Sequence, residues 1–106
     1  MSSDKEITPI WQDPSAADEV FDHVTTASMA GVSTRLVLKY WKIGLVKPIG
    51  DTECYGIYFD QEAIYLIRQA ELMRQELSVD MRAATVIVKL RQKVEILHEE
   101  LRFWRR

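Results

Sequence analysis

The chain has 106 residues, a net charge of −2 and an apolar fraction of 47%, values that predict one small domain with a packed core. Its one cysteine, Cys54, excludes an internal disulfide and a thiolate metal cluster, and indicates a reducing compartment. No apolar run approaches the roughly 20 residues that a membrane-spanning helix needs, and residues 1–6 lack the pattern of a signal peptide. We therefore expect a cytoplasmic protein that has no contact with a membrane.

Charge is distributed unevenly along the chain. Residues 1–22 and 51–81 each carry a net charge of −5, whereas residues 23–50, which contain no acid, and residues 82–106 each carry +4. A dedicated DNA-binding domain is usually basic, so the pI near 5.7 disfavours nucleic acid as a partner. The basic segment 23–50 nevertheless leaves DNA as an alternative partner.

An irregular acidic arm is predicted for residues 1–19, which contain Pro9 and Pro14. A short helix follows, with Asp22 placed to cap it and with its end at Ala30. The sequence Gly31-Val32-Ser33 then supplies a turn and the N-cap of a second helix, predicted over residues 34–42.

Residues 46–59 predict a two-stranded ribbon. Gly50 and Asp51 have turn chemistry, and the aromatic and β-branched run that ends at Phe59 is typical of a strand. Alternation along that strand would place Tyr55 and Ile57 on the same side.

Two longer helices complete the chain. Asp60 is placed to cap a helix over residues 61–77, whose acids predict a solvated face; these acids are Glu62, Glu71 and Glu76. After a break at residues 78–80, Asp80 can cap the last helix, which contains neither glycine nor proline.

The last helix has apolar residues at heptad spacing: Ala83, Ile87, Leu90, Val94, Leu97, Leu101 and Trp104. One interpretation is a terminal helix folded back on its own domain. The narrow and regular stripe favours the other, a coiled-coil homodimer. Its predicted dimer interface consists of Ile87, Leu90, Val94, Leu97, Leu101 and Trp104.

This order of elements resembles the winged-helix fold of MerR-type regulators. The residues that carry the resemblance are Gly31-Val32-Ser33, Tyr40, Gly44-Leu45-Val46, Pro48 and Tyr58-Phe59-Asp60. It implies a mostly α, MerR-like winged helix-turn-helix with a two-stranded wing and a long C-terminal dimerisation helix. The domains are then an arm (1–19), a winged helix-turn-helix domain (20–80) and a coiled-coil helix (81–106). If the chain binds DNA as that family does, Arg35, Lys39, Lys42 and Lys47 would make the contacts.

Three positions depart from the DNA-binding pattern of that family. Leu38 and Ile57 stand where the pattern has arginine, and Trp41 stands where it has glutamate. With these changes the chain looks like the chaperone-modulator (CbpM-like) family. That resemblance implies a homodimer that binds the J domain of a DnaJ-like co-chaperone and inhibits its engagement with Hsp70.

For that function we predict a partner-binding surface that combines acids with apolar anchors: Trp41, Asp51, Glu53, Tyr55, Ile57 and Glu62. Three alternatives stay open here. Trp41 is either an interface anchor or a half-buried packing residue, and Ile57 either contributes to the surface or packs inward. Leu38 and Ile57 could also be core or surface residues of a DNA-binding protein that uses its lysines instead.

Enzyme chemistry has little support in the sequence. His23 and His98 lie far apart, without a serine or cysteine partner at a recognisable spacing, and the glycines form no phosphate-binding loop. We therefore expect a protein that is not an enzyme and has no catalytic residues, metal ligands or cofactor.

Overall fold

The computed structural model describes residues 19–50 and 52–105. Its elements in chain order are β1 (Val20–Asp22), α1 (His23–Ala30), α2 (Thr34–Lys42), α3 (Thr52–Tyr55), β2 (Tyr58–Asp60), α4 (Gln61–Leu77) and α5 (Met81–Arg105). The predicted fold class is confirmed: the chain is mostly helical, with a two-stranded antiparallel sheet and a long C-terminal helix. The predicted arm, apart from Glu19, lies outside the described residues.

The helices α1 and α2 begin and end where the sequence predicts. The Asp22 carboxylate accepts a hydrogen bond from the Thr25 amide at 2.7 Å, and the Ser33 hydroxyl accepts one from the Leu36 amide at 3.1 Å. Between the two helices, Gly31 has a φ of 75°, a left-handed conformation in which a side chain is strained. These caps satisfy helix-end amides and orient α2 relative to α1.

The Asp22 cap makes stability depend on pH. The backbone hydrogen bond from Thr25 holds the pKa of Asp22 below its ordinary value of 3.8. Because the folded pKa is the lower one, the carboxylate stabilises the fold above the unfolded pKa, and this contribution is lost as pH falls through the folded pKa. We expect Asp22→Ala to lower the melting temperature at neutral pH, with a difference that shrinks below about pH 4.

Thermal melts across this pH range check that expectation. Asp22→Asn is the matched control, because it keeps a capping oxygen but cannot ionise. The difference in melting temperature between Asp22→Asn and Asp22→Ala should change little with pH. If the melting temperature of the wild type exceeds that of Asp22→Ala by the same amount down to low pH, the role of the carboxylate is contradicted.

The prediction of a ribbon within residues 46–59 is wrong. The sheet pairs β1 with β2, with Phe21 opposite Phe59, so its first strand comes from before α1. Residues 52–55 form the helical turn α3 instead, and Gly56 follows it at a φ of 92°. The left-handed glycine ends a helical turn and cannot continue an extended strand register. One backbone hydrogen bond does join the two ends of this segment: the Ile49 amide donates to the Tyr58 carbonyl at 2.7 Å.

The helices α4 and α5 also match their predicted bounds. Their N-caps are Asp60, which accepts from the Ala63 amide at 3.0 Å, and Asp80, which accepts from the Ala83 amide at 2.8 Å. Ser78 ends α4 at a φ of 56°, an uncommon conformation for a residue with a side chain. This turn directs α5 back along α4, against which it packs.

The core lies between α4 and the elements around it. Its side chains come from α1, α2, the loop after α2, β2, α4 and α5; those fully buried at 0% exposure are Thr26, Val37, Tyr40, Phe59, Ile67, Ala70 and Ala84. Burying one face of α2 in this core leaves the opposite face of the helix to solvent.

Candidate functional site

One face of α2 is basic. Arg35, Lys39 and Lys42 are exposed and recur at i, i+4 and i+7, so they lie on the same side of the helix. Within residues 19–50 and 52–105, none of the three forms an ion pair. The fourth predicted DNA-contacting base, Lys47, is also exposed, but it lies after α2 and borders a depression next to Glu62.

An apolar side chain borders this basic face. Leu38 is half-buried and lies at the edge of the face, three residues after Arg35 and four before Lys42. A leucine side chain cannot donate a hydrogen bond, so this edge offers apolar contact beside the charges of the bases. We call Arg35, Leu38, Lys39 and Lys42 together the α2 basic face.

A buried hydrogen-bond network attaches α2 to α4. The Tyr40 hydroxyl donates to Glu71 Oε2 at 2.6 Å, and Arg74 Nη1 donates to the same oxygen at 2.8 Å. Burial, together with this hydrogen bond to Glu71, raises the pKa of Tyr40, and the hydrogen bond to Glu71 also raises the pKa of Arg74. The expectation of a solvated face does not hold for Glu71, whose side chain is only 20% exposed. A buried tyrosine hydroxyl needs a hydrogen-bond partner. The presence of Tyr40 in the sequence of α2 was therefore the one feature from which this contact could have been anticipated.

Trp41 and Ile57 are both half-buried and pack against the core. The Trp41 ring meets Phe59 edge to face, with ring centroids 6.5 Å apart. This contact corresponds to the alternative of Trp41 as a packing residue. Ile57 likewise directs part of its side chain inward, so a charged substitution there would disturb packing as well as any partner contact.

The predicted partner-binding residues Glu53, Tyr55 and Glu62 lie on two different elements, α3 and α4. Glu53 and Tyr55 lie on the exposed turn α3, with Tyr55 74% exposed. Glu62 lies in the first turn of α4 and accepts a hydrogen bond from Gln92 Nε2 of α5 at 3.2 Å. Asp51 lies outside the described residues. The expectation that Tyr55 and Ile57 share one side of a strand is wrong, because Tyr55 belongs to a helical turn.

Opposite sides of α5 have different environments. Ala84, Thr85 and Val88 are buried, on the side that packs against α4. Ile87 is half-buried, and the remaining predicted interface residues are each more than half exposed: Leu90, Val94, Leu97, Leu101 and Trp104. The first part of the helix thus folds back on the domain, while the predicted dimer stripe lies on another side. The dimer itself stays a prediction.

Metal ligation and a membrane-spanning helix have no support in the described residues. In residues 19–50 and 52–105, no group of three or more His, Cys, Asp or Glu side chains could hold a metal ion. Among the helices described here, none combines the length and apolarity needed to cross a bilayer. We call the predicted interface residues of α5 together the α5 stripe: Ile87, Leu90, Val94, Leu97, Leu101 and Trp104. The α2 basic face, the α3 turn and the α5 stripe are the surfaces that carry the predicted contacts.

Comparison with known families agrees with this architecture. A family model described as MerR HTH family regulatory protein matches residues 24–106, which include most of α1 and all the later elements. Among curated proteins no match was found. A match over this share of the chain establishes the family, and the pair α1 and α2, joined by the turn at Gly31, is its helix-turn-helix. The chain belongs to the MerR HTH family of regulatory proteins.

Proposed function

We propose that this protein is a cytoplasmic chaperone modulator, which binds the J domain of a DnaJ-like co-chaperone and inhibits its Hsp70-stimulating activity. The observation that carries the proposal is the pair of half-buried apolar side chains, Leu38 and Ile57, at positions where the DNA-binding pattern has arginine. Neither side chain can donate to a phosphate oxygen. Because phosphate contacts supply a large share of DNA affinity, their absence favours a protein partner.

The α3 turn is the best centre for the partner surface. Among the described residues outside α5, Tyr55 is the most exposed aromatic, and Glu53 precedes it by two residues on the same exposed turn. An exposed tyrosine beside an acid combines an anchor with a charge that attracts a basic helix such as the J domain presents. The complete proposed surface is Trp41, Asp51, Glu53, Tyr55, Ile57 and Glu62.

A homodimer belongs to the same proposal. The α5 stripe leaves five large apolar side chains more than half exposed at heptad spacing: Leu90, Val94, Leu97, Leu101 and Trp104. A second copy of this helix would cover them by knobs-into-holes packing. No catalytic role is part of the proposal.

A second candidate function has its own supporting observation. The exposed bases of the α2 basic face, with Lys47 after them, favour a MerR-type transcriptional regulator that reads DNA through α2. Specific DNA binding that weakens steeply with salt, in a protein with no affinity for J domains, would decide for this alternative.

Tyr55→Ala tests the proposed surface. We expect this variant to bind a purified J domain about tenfold more weakly than wild type, because it removes the exposed anchor of the α3 turn. Isothermal titration calorimetry measures the affinity, and the Hsp70 ATPase rate in the presence of the co-chaperone measures the inhibition. Since Tyr55 is exposed, the melting temperature should change little.

Tyr65→Ala is the matched control, since Tyr65 is an exposed tyrosine on α4. It should leave J-domain affinity unchanged. Equal weakening by both variants would move the interface to α4, and a wild-type protein that binds no J domain would overturn the proposed function.

A further inference from the structure

The α2 basic face has a composition that suits an acidic peptide with apolar side chains. Leu38, at its edge beside Arg35 and Lys42, is half-buried and so keeps part of its apolar surface accessible. A phosphate backbone gains nothing from an apolar edge, whereas a peptide that carries both acids and apolar residues can use this edge and the bases together.

Such a peptide exists within the chain. Residues 1–18 contain four acids and one lysine, a net charge of −3; the acids are Asp4, Glu6, Asp13 and Asp18. Between them lie the apolar residues Ile7, Ile10 and Trp11. The segment therefore has both features that complement the α2 basic face.

The segment joins the fold at β1, which is linked to α2 through one side chain. The first described strand, β1, pairs Phe21 with Phe59 of β2. The Phe59 ring in turn contacts Trp41, near the C-terminal end of α2, at a centroid distance of 6.5 Å. Phe59 thus connects the strand that follows the segment with the helix that carries the basic face.

The length of the segment is ample for this contact. Eighteen residues can extend about 60 Å, more than the longest dimension of the described part, 52 Å. The helix α2 has nine residues, about 14 Å. Tethering also supplies an effective concentration on the order of millimolar, so individually weak charge contacts are sufficient for occupancy.

We propose that residues 1–18 bind the α2 basic face of their own chain, and that this intramolecular contact competes with external anions such as DNA for Arg35, Lys39 and Lys42. The binding places acids of the segment against these bases, and apolar residues of the segment against Leu38. This inference does not depend on J-domain binding, since it concerns a different surface from the α3 turn.

Paramagnetic relaxation in the full-length protein tests the contact. A nitroxide is attached at Thr8→Cys in a Cys54→Ser background, because the exposed free thiol of Cys54 would otherwise be labelled as well. At low salt we expect selective loss of amide signal intensity over residues 34–42, and recovery of that intensity at about 1 M salt, where the Debye length falls to about 3 Å. Amide signals of α5 residues 93–105 should keep their intensity.

Charge variants identify the cause of the effect. A variant that neutralises all four acids of the segment should abolish the loss of amide signal intensity over α2. Its substitutions are Asp4→Asn, Glu6→Gln, Asp13→Asn and Asp18→Asn. The matched control removes four exposed acids elsewhere, in Glu76→Gln, Glu95→Gln, Glu99→Gln and Glu100→Gln combined. It should keep the loss, because it changes the net charge equally without touching the segment.

Three results would overturn the proposal. The first is no intensity loss over α2, and the second is a loss centred on α4 or α5 instead. The third is a loss seen only when spin-labelled and isotope-labelled chains are mixed, which would assign the segment to the partner copy. If a short DNA duplex shifts α2 amides while the segment leaves them unchanged, the occupant of the face is nucleic acid.

Discussion

Leu97→Glu is expected to prevent formation of the proposed homodimer and to leave a monomer. Leu97 belongs to the α5 stripe, and burying each of its apolar side chains contributes about 1.5–3 kcal/mol before entropy. A glutamate in the middle of that interface would place unpaired charge in an apolar seam, at a cost of several kcal/mol. Sedimentation at micromolar concentration should show the mass fall from twice the chain mass to 12.3 kDa.

Ile96→Glu is the matched control for this experiment. Ile96 is 57% exposed and Leu97 is 59% exposed, on the same helix, but Ile96 lies outside the heptad stripe. This variant should remain a dimer. A wild-type protein that sediments as a monomer, or a Leu97→Glu variant that remains dimeric, would contradict the predicted interface.

Phe59→Ala should lower the free energy of unfolding by about 3–5 kcal/mol, the cost typical of removing a buried phenyl ring. Phe59 is fully buried, pairs with Phe21 across the sheet and contacts the Trp41 ring. Small domains have about 5–15 kcal/mol of stability in total, so this change removes a large fraction. Urea denaturation measures it, at equal concentrations of each protein because association contributes to stability.

Tyr58→Ala provides the comparison from the neighbouring position of the same strand. Tyr58 is 37% exposed, so its removal should cost about 1 kcal/mol or less. Equal costs for the two variants would mean that β2 is stabilised by its backbone pairing and not by the Phe59 side chain.

The helices could be predicted from the sequence because their determinants are local. In the part of the chain that the structure describes, each of the four helices longer than a turn has a capping side chain directly before it, at Asp22, Ser33, Asp60 and Asp80. A cap and the apolar period that follows lie within one stretch of chain. The bounds of α2 and α4 therefore agree with the prediction at both ends.

The sheet could not be predicted in the same way. Val20 pairs with Asp60, forty positions later, and β1 has only three residues. Such a short strand has no alternation to detect, and its partner is selected by packing across the whole domain. The aromatic run before α4 therefore indicated a strand near Phe59, while its partner and the helical turn at Tyr55 went undetected.

The candidate site shows the same division between local and distant information. The bases of the α2 basic face follow from helical spacing alone, and the structure exposes all three. The contact of Tyr40 with Glu71 joins residues thirty-one positions apart, which no local pattern records. The surroundings of Glu62 depend similarly on α5, through Gln92.

The length of α5 has a consequence for how the protein meets its partners. The helix has 25 residues, about 37 Å, and in the described residues its hydrogen bond to α4 nearest its C-terminal end comes from Gln92. Two copies joined along the stripe would form one rigid rod that carries a domain toward each end. The two α3 turns would then be presented as a bivalent pair at fixed separation. Such a dimer gains avidity for a partner that is itself dimeric, and none for a monomeric one.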